Sequence, residues 1–173
     1  MSAAPIEIDK VEQEAKDFVH SFKSIQLATA DDKGIANASY APFAIDENNC
    51  FIIYVSDLSA HTKNLKKKIN MSAMLIEAEE SAEHIFARKR LTFICEVQSI
   101  ERGTEEFEIV MGLMGERFGE FINFMKKMKD FHAFRLKPKH ANYVRGFAQA
   151  YEFENADFNN IKHVNDKGHK NND

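Results

Sequence analysis

The sequence lacks most of the features that assign a protein quickly. Its 173 residues contain no apolar run near the roughly 20 needed for a helix to cross a bilayer, so no membrane partner is expected. The opening MSAAPIEIDKVEQEAKDF is acidic and has no apolar core of a secretory signal, which makes the cytoplasm the expected compartment. There are two cysteines, Cys50 and Cys95, each inside an apolar run (CFIIYV and LTFICEV); they read as packed thiols, not as a disulfide or metal site. Positive charge is in deficit: 23 Lys and Arg against 27 Asp and Glu leave a net charge of −4, which argues against bulk nucleic-acid binding. No GxGxxG, Walker A loop, nucleophile elbow or HExxH occurs. The histidines at 20, 61, 84, 132, 140, 163 and 169 form no pair at i,i+3 or i,i+4, so no helical zinc site is encoded locally.

What is present describes an ordinary globular chain. Hydrophobic residues make up 44% and charged residues 29%, and a single domain of this length buries about 70% of its unfolded surface. Residues 6–22 place Ile8, Val11, Ala15, Phe18, Val19 and Phe22 at helical spacing. SIQLATAD and IANASYAPF flank DDKG, a hairpin signal over 24–43, with Gly34 free to take positive φ. CFIIYVS (50–56) is a nearly continuous apolar strand, and DLSAHTKNLKKK follows as a short helix capped by Asp57 or Ser59. MSAMLIE and RLTFICEVQSI read as two more strands. Residues 104–128 have helical period, with a break expected around Gly115 and Gly119; the Met and Phe stripe there reads as core packing. FHAFRLKP and NYVRGFAQAYEFE are expected to close the chain as two strands separated by a turn at Pro138.

A helix followed by about six short antiparallel strands with inserted helices predicts a small α+β barrel. Such a barrel has a filled interior, which leaves its outside or a subunit interface for ligands. Basic clusters at Lys63/Lys66/Lys67/Lys68 and Arg88/Lys89/Arg90 are candidates for holding a small anionic ligand. The final stretch IKHVNDKGHKNND has little to bury, yet carries His163 and His169. Composition and spacing by themselves do not name a reaction.

Seven blocks add to that reading. SYAPF (39–43), SDLSAHTKNL (56–65), FARKRLTF (86–93), ERFGE (116–120), DFHAFRL (130–136), GFAQAYE (146–152) and GHK (168–170) occur in this order, and together they resemble the HutZ/HugZ haem-utilisation proteins. The resemblance runs from about residue 10 to residue 170. It implies an α+β fold built on an antiparallel six-stranded split β-barrel with flanking helices, related to pyridoxamine-phosphate oxidase and assembled as a homodimer. The implied organisation is a helical segment at 1–22, the barrel at 23–155 and a flexible ligand-bearing tail at 156–173.

The implied function is haem binding and oxygen-dependent haem opening that releases iron, served by an electron donor and a haem-delivery protein. A haem carrier or store without turnover is the alternative from another class. By resemblance, His169 is the axial ligand of haem iron, with His163 as competitor. Asp130 would hydrogen-bond that histidine across the dimer, a contact that fixes the tautomer and strengthens the ligating nitrogen. Arg90 would lie over the oxygen side of the haem, Arg88 and Lys89 near its propionates, and His61 at the dimer interface, whereas His132 is expected to be structural. The superfamily's usual cofactor is FMN, the alternative here. In flavin-binding relatives a Ser-Arg-Lys run holds the phosphate; this chain keeps Ser59 but has Ala60 and His61 in place of the two cations, with Lys63 as partial compensation.

Overall fold

The computed structural model describes residues 8–67, 70–154, 158 and 161–164. Alternation in the sequence decides which side of each strand faces inward. In β1 (Ser24–Ala30) the residues buried in the barrel are Ile25, Leu27 and Thr29; in β4 (Met71–Ile76) they are Met71, Ala73 and Leu75; in β5 (Arg90–Ile100), Leu91, Phe93, Cys95 and Val97, with Ile100 buried outside it. With β2 (Ala36–Ile45), β3 (Phe51–Ser56) and β6 (Phe131–Gly146) these strands pair antiparallel in the order β3-β2-β1-β4-β5-β6. A β3–β6 pairing joins the two ends, so the six strands close into a barrel. Phe43, Phe51 and Phe93 stack edge-to-face in its interior, with centroids 5.4 and 4.9 Å apart.

The continuous apolar run in β3 follows from burial on both faces. Phe51, Ile53 and Val55 point into the barrel, whereas Ile52 and Tyr54 belong to a second core with Ala44, Ile100 and Ala133. That second core is covered by α3 (Glu105–Phe118) and α4 (Phe121–Met125), through Phe107, Val110, Met111, Met114 and Ile122. α1 (Ile8–His20) packs Val11, Ala15 and Val19 against the barrel core. Its Glu14 accepts the hydroxyl proton of buried Tyr143 at 2.8 Å and pairs with Arg145 at 2.8 Å. Cys50 and Cys95 are free, buried thiols, and burial pushes the Cys95 thiol well above its ordinary range.

Three sequence expectations need correction. First, the closing strands are not separated at Pro138: β6 runs unbroken through it for 16 residues. Pro138 sits opposite Cys95, where the β5–β6 register shifts, and an interrupted ladder tolerates a residue with no N–H. The turn instead falls after Gly146, before β7 (Gln149–Phe153). Second, Gly115 does not break the helix; α3 continues to Phe118 and stops at Gly119, whose φ of 76° and ψ of −162° suit glycine alone. Third, the described residues form eight strands where about six were expected, although the barrel itself has the expected six. β7 and β8 (Lys162–His163) extend the sheet beyond the barrel on the outer half of β6.

Candidate functional site

The candidate residues fall into two groups, set apart by β6. Asp130 directly precedes Phe131, the first residue of that strand, while Arg90 pairs with Val144 near its other end. Within one chain, most of a 16-residue strand lies between them.

The first group gathers where β3 runs into α2 (Ala60–Lys66). Ser56, the last residue of β3, is opposite Phe131, and its hydroxyl donates to Asp130 Oδ2 at 2.7 Å. Ser59 is the N-cap of α2, although its side chain makes no capping bond. His61 is 7% exposed, and its Nε2 has no hydrogen-bond partner among the described residues. Burial holds its imidazole below the usual histidine range, so the neutral form is favoured. Lys63 is exposed on the same helix. A groove of about 620 Å³ lies between this corner and β2, lined by Asn37, Ser39, Tyr40, Ser59, His61 and Phe131 among others. Asn37 Oδ1 and Ser39 Oγ are likewise buried with no partner among the described residues, so three residues lining one groove each carry an unpaired buried polar atom.

The second group starts β5. Arg88 is spoken for: its Nε donates to the Glu77 carbonyl at 3.0 Å, and Nη1 lies 3.3 Å from Glu79. The Lys89 ammonium is 3.5 Å from Glu14, and the Lys89 backbone N–H donates to Glu77 at 2.6 Å. Arg90 lies on the outer face of the barrel and donates to the Arg88 carbonyl at 3.2 Å. A groove of about 680 Å³ opens beside Lys89, lined by Glu77, His84, Lys89, Arg145, Phe147 and Gln149 among others; Arg90 is not part of its lining. His169 lies outside the described residues, as does the rest of the tail beyond Val164. Among the described residues, no group of three or more His, Cys, Asp or Glu side chains converges to hold a metal ion.

Sequence reasoning missed several participants. Asp57, read only as a possible helix cap, bonds through Oδ2 to His132 Nε2 at 2.8 Å, a contact in keeping with the structural part expected of His132. The Lys66 ammonium and then His132 hold the Asp57 carboxyl below its ordinary range. Ser56 sits inside the block SDLSAHTKNL, yet its contact with Asp130 joins positions 74 residues apart and has no local signal. Glu14 and Arg145 were not singled out either. Burial alone would raise the Glu14 carboxyl, but the Tyr143 hydroxyl and the Arg145 guanidinium outweigh it and hold the pKa down.

The pyridoxamine 5'-phosphate oxidase family profile matches residues 11–145. Heme oxygenase HutZ of Vibrio cholerae is 40% identical over 161 residues, 93% of this chain and 90% of that protein. A solved structure of Vibrio cholerae HutZ, described as a heme storage protein, superposes with a TM-score of 0.70 at 42% identity, covering 73% of this chain and 89% of that one. Campylobacter jejuni ChuZ superposes with a TM-score of 0.84 at 35% identity, covering 95% of this chain and 67% of that one. The chain belongs to the pyridoxamine 5'-phosphate oxidase family, within its HutZ/HugZ haem-utilisation branch.

Proposed function

We propose that this chain works in the cytoplasm as a homodimer that binds haem between its two copies and opens the porphyrin with oxygen and a reductant, releasing iron. The Vibrio cholerae relative named for that activity is matched over nearly its full length. In this chain, the observation that carries the reading is the path of the tail. β8 pairs with β7, and the Val164 N–H donates to the Ala150 carbonyl at 2.9 Å, so the chain heads toward the β6–β7 turn. That turn adjoins the end of β6 paired with Arg90. His169 lies five residues beyond Val164, a reach of at most about 18 Å. This path favours His169 and Arg90 of one copy serving the same haem. Asp130, at the other end of β6, then comes from the second copy.

The residues have distinct roles in this reading. His169 holds the haem iron through a neutral imidazole, and Asp130 of the second copy accepts the imidazole N–H, fixing the tautomer. Arg90, which has no carboxylate partner among the described residues, supplies a cation on the oxygen side. The haem brings the redox chemistry; the protein ligates it, orients it and sets its electrostatics.

FMN fits this chain poorly. Among the described residues, neither Lys nor Arg lines the groove beside α2. Of the nearby lysines among the described residues, Lys66 is bonded to Asp57 and Lys67 to Asp32, which leaves exposed Lys63 to face a dianion. Each charge-assisted bond forgone costs about 1.5–3 kcal/mol. No step is therefore assigned to a flavin. Haem storage is the second reading, favoured by the description of the solved Vibrio cholerae relative.

Adding haemin to the purified chain should give a Soret band that His169→Ala shifts and His163→Ala leaves in place. The reverse pattern moves the ligand to His163. Ascorbate and oxygen, with peroxide scavenged, should then bleach that band and release iron. A band that persists would make the protein a store.

A further inference from the structure

The Asp130 carboxylate is exposed, but it is not free to swing. Ser56 Oγ donates to Asp130 Oδ2 at 2.7 Å and accepts the Leu58 N–H at 3.2 Å. A serine hydroxyl has one hydrogen. With Leu58 donating to the oxygen, that hydrogen is directed at the carboxylate. The main chain is held as well, because the Asp57 N–H donates to the Asp130 carbonyl at 2.8 Å. Asp57 is in turn tied to His132 and Lys66, which fixes the corner from the β6 side and the α2 side together. Among the described residues, Asp130 Oδ1 has no hydrogen-bond partner.

A corner that does no more than turn the chain would need only the backbone bond and the Leu58 contact. The additional bond, to one oxygen of a surface carboxylate, orders a group that water would otherwise leave mobile. We propose that Ser56 is a positioning residue. It holds Asp130 through Oδ2, so that Oδ1 is presented to the imidazole N–H of the haem-ligating histidine from a second copy. This rests on the reading of Asp130 given above. The carboxylate is thus oriented before haem arrives, and its ordering cost is met during folding rather than binding.

The test is the iron–histidine stretching frequency of the full-length chain, loaded with haem, reduced and measured by resonance Raman scattering. It reports imidazole polarisation directly, where a role confined to turning the chain would leave it unmoved. Asp130→Ala should lower the frequency. Ser56→Ala should lower it part of the way, because the carboxylate loses its anchor, and Ser56→Thr should restore it by returning a hydroxyl. A Ser56→Ala frequency at or above the parent value, with Asp130→Ala lowered, overturns the role of Ser56 and leaves that of Asp130 standing. Ser56→Thr tracking with Ser56→Ala overturns it too, since the hydroxyl would then not be the cause. If Asp130→Ala leaves the frequency unmoved, the reading of Asp130 fails and takes this proposal with it.

Discussion

His61 shows how a single side chain can carry a condition for folding. It is buried on α2 with Nε2 unpaired among the described residues, and burial lowers its pKa. The unfolded chain binds a proton near pH 6.5, whereas the folded chain resists protonation until the pH is lower. Stability from the neutral form is therefore complete above about pH 6.5 and is lost as pH falls through the folded value. The melting temperature should drop between about pH 7.5 and pH 5.5, and His61→Gln should flatten that slope. An unchanged slope in the variant would assign the acid sensitivity elsewhere. At the second cluster, Arg88 and Lys89 are already engaged by Glu77, Glu79 and Glu14, so of that basic triplet only Arg90 lacks a carboxylate partner among the described residues.

Among the elements, α3 separates two glycines that look alike in sequence. Gly115 is helical, and an added Cβ there meets nothing within 4 Å. Gly115→Ala should stabilise the fold by about 0.5–1 kcal/mol, since alanine loses less backbone entropy. Gly119 is equally uncrowded, but its φ is 76° with ψ −162°, so Gly119→Ala should cost about 1–3 kcal/mol. Denaturant titration of the two variants should give shifts of opposite sign. Both glycines are visible in the sequence as possible breaks. Which one ends the helix depends on where Phe107, Val110, Met111 and Met114 must lie to cover β3, and no local pattern records that. Pro138 is similar: the residue is legible, but the bulge that accommodates it belongs to the β5–β6 pairing.

In the whole molecule, the division of the site along β6 makes a prediction that no single chain can satisfy. If each haem takes Arg90 and His169 from one copy and Asp130 from the other, mixing Arg90→Ala with Asp130→Ala chains leaves one intact site in each mixed dimer. Random reassembly should recover about a quarter of the parent sites, from two variants that are each defective alone. Haem turnover after mixed refolding, measured against each variant refolded by itself, checks this. No recovery would mean that the two residues act within one chain.

The sequence by itself determined the strand faces, the doubly buried β3, the packed thiols and the helix covering the second core. Each of these is an alternation, a continuous apolar run or a helical period, set by neighbours a few residues apart. Tertiary structure decided which polar groups meet. Ser56 reaches Asp130 across 74 residues, and Tyr143 reaches Glu14 across 129, because barrel closure and the docking of α1 bring them together. The unbroken course of β6 was decided there as well, and with it the separation of Asp130 from Arg90. A proline in sequence carries no mark of the paired strand that will absorb it.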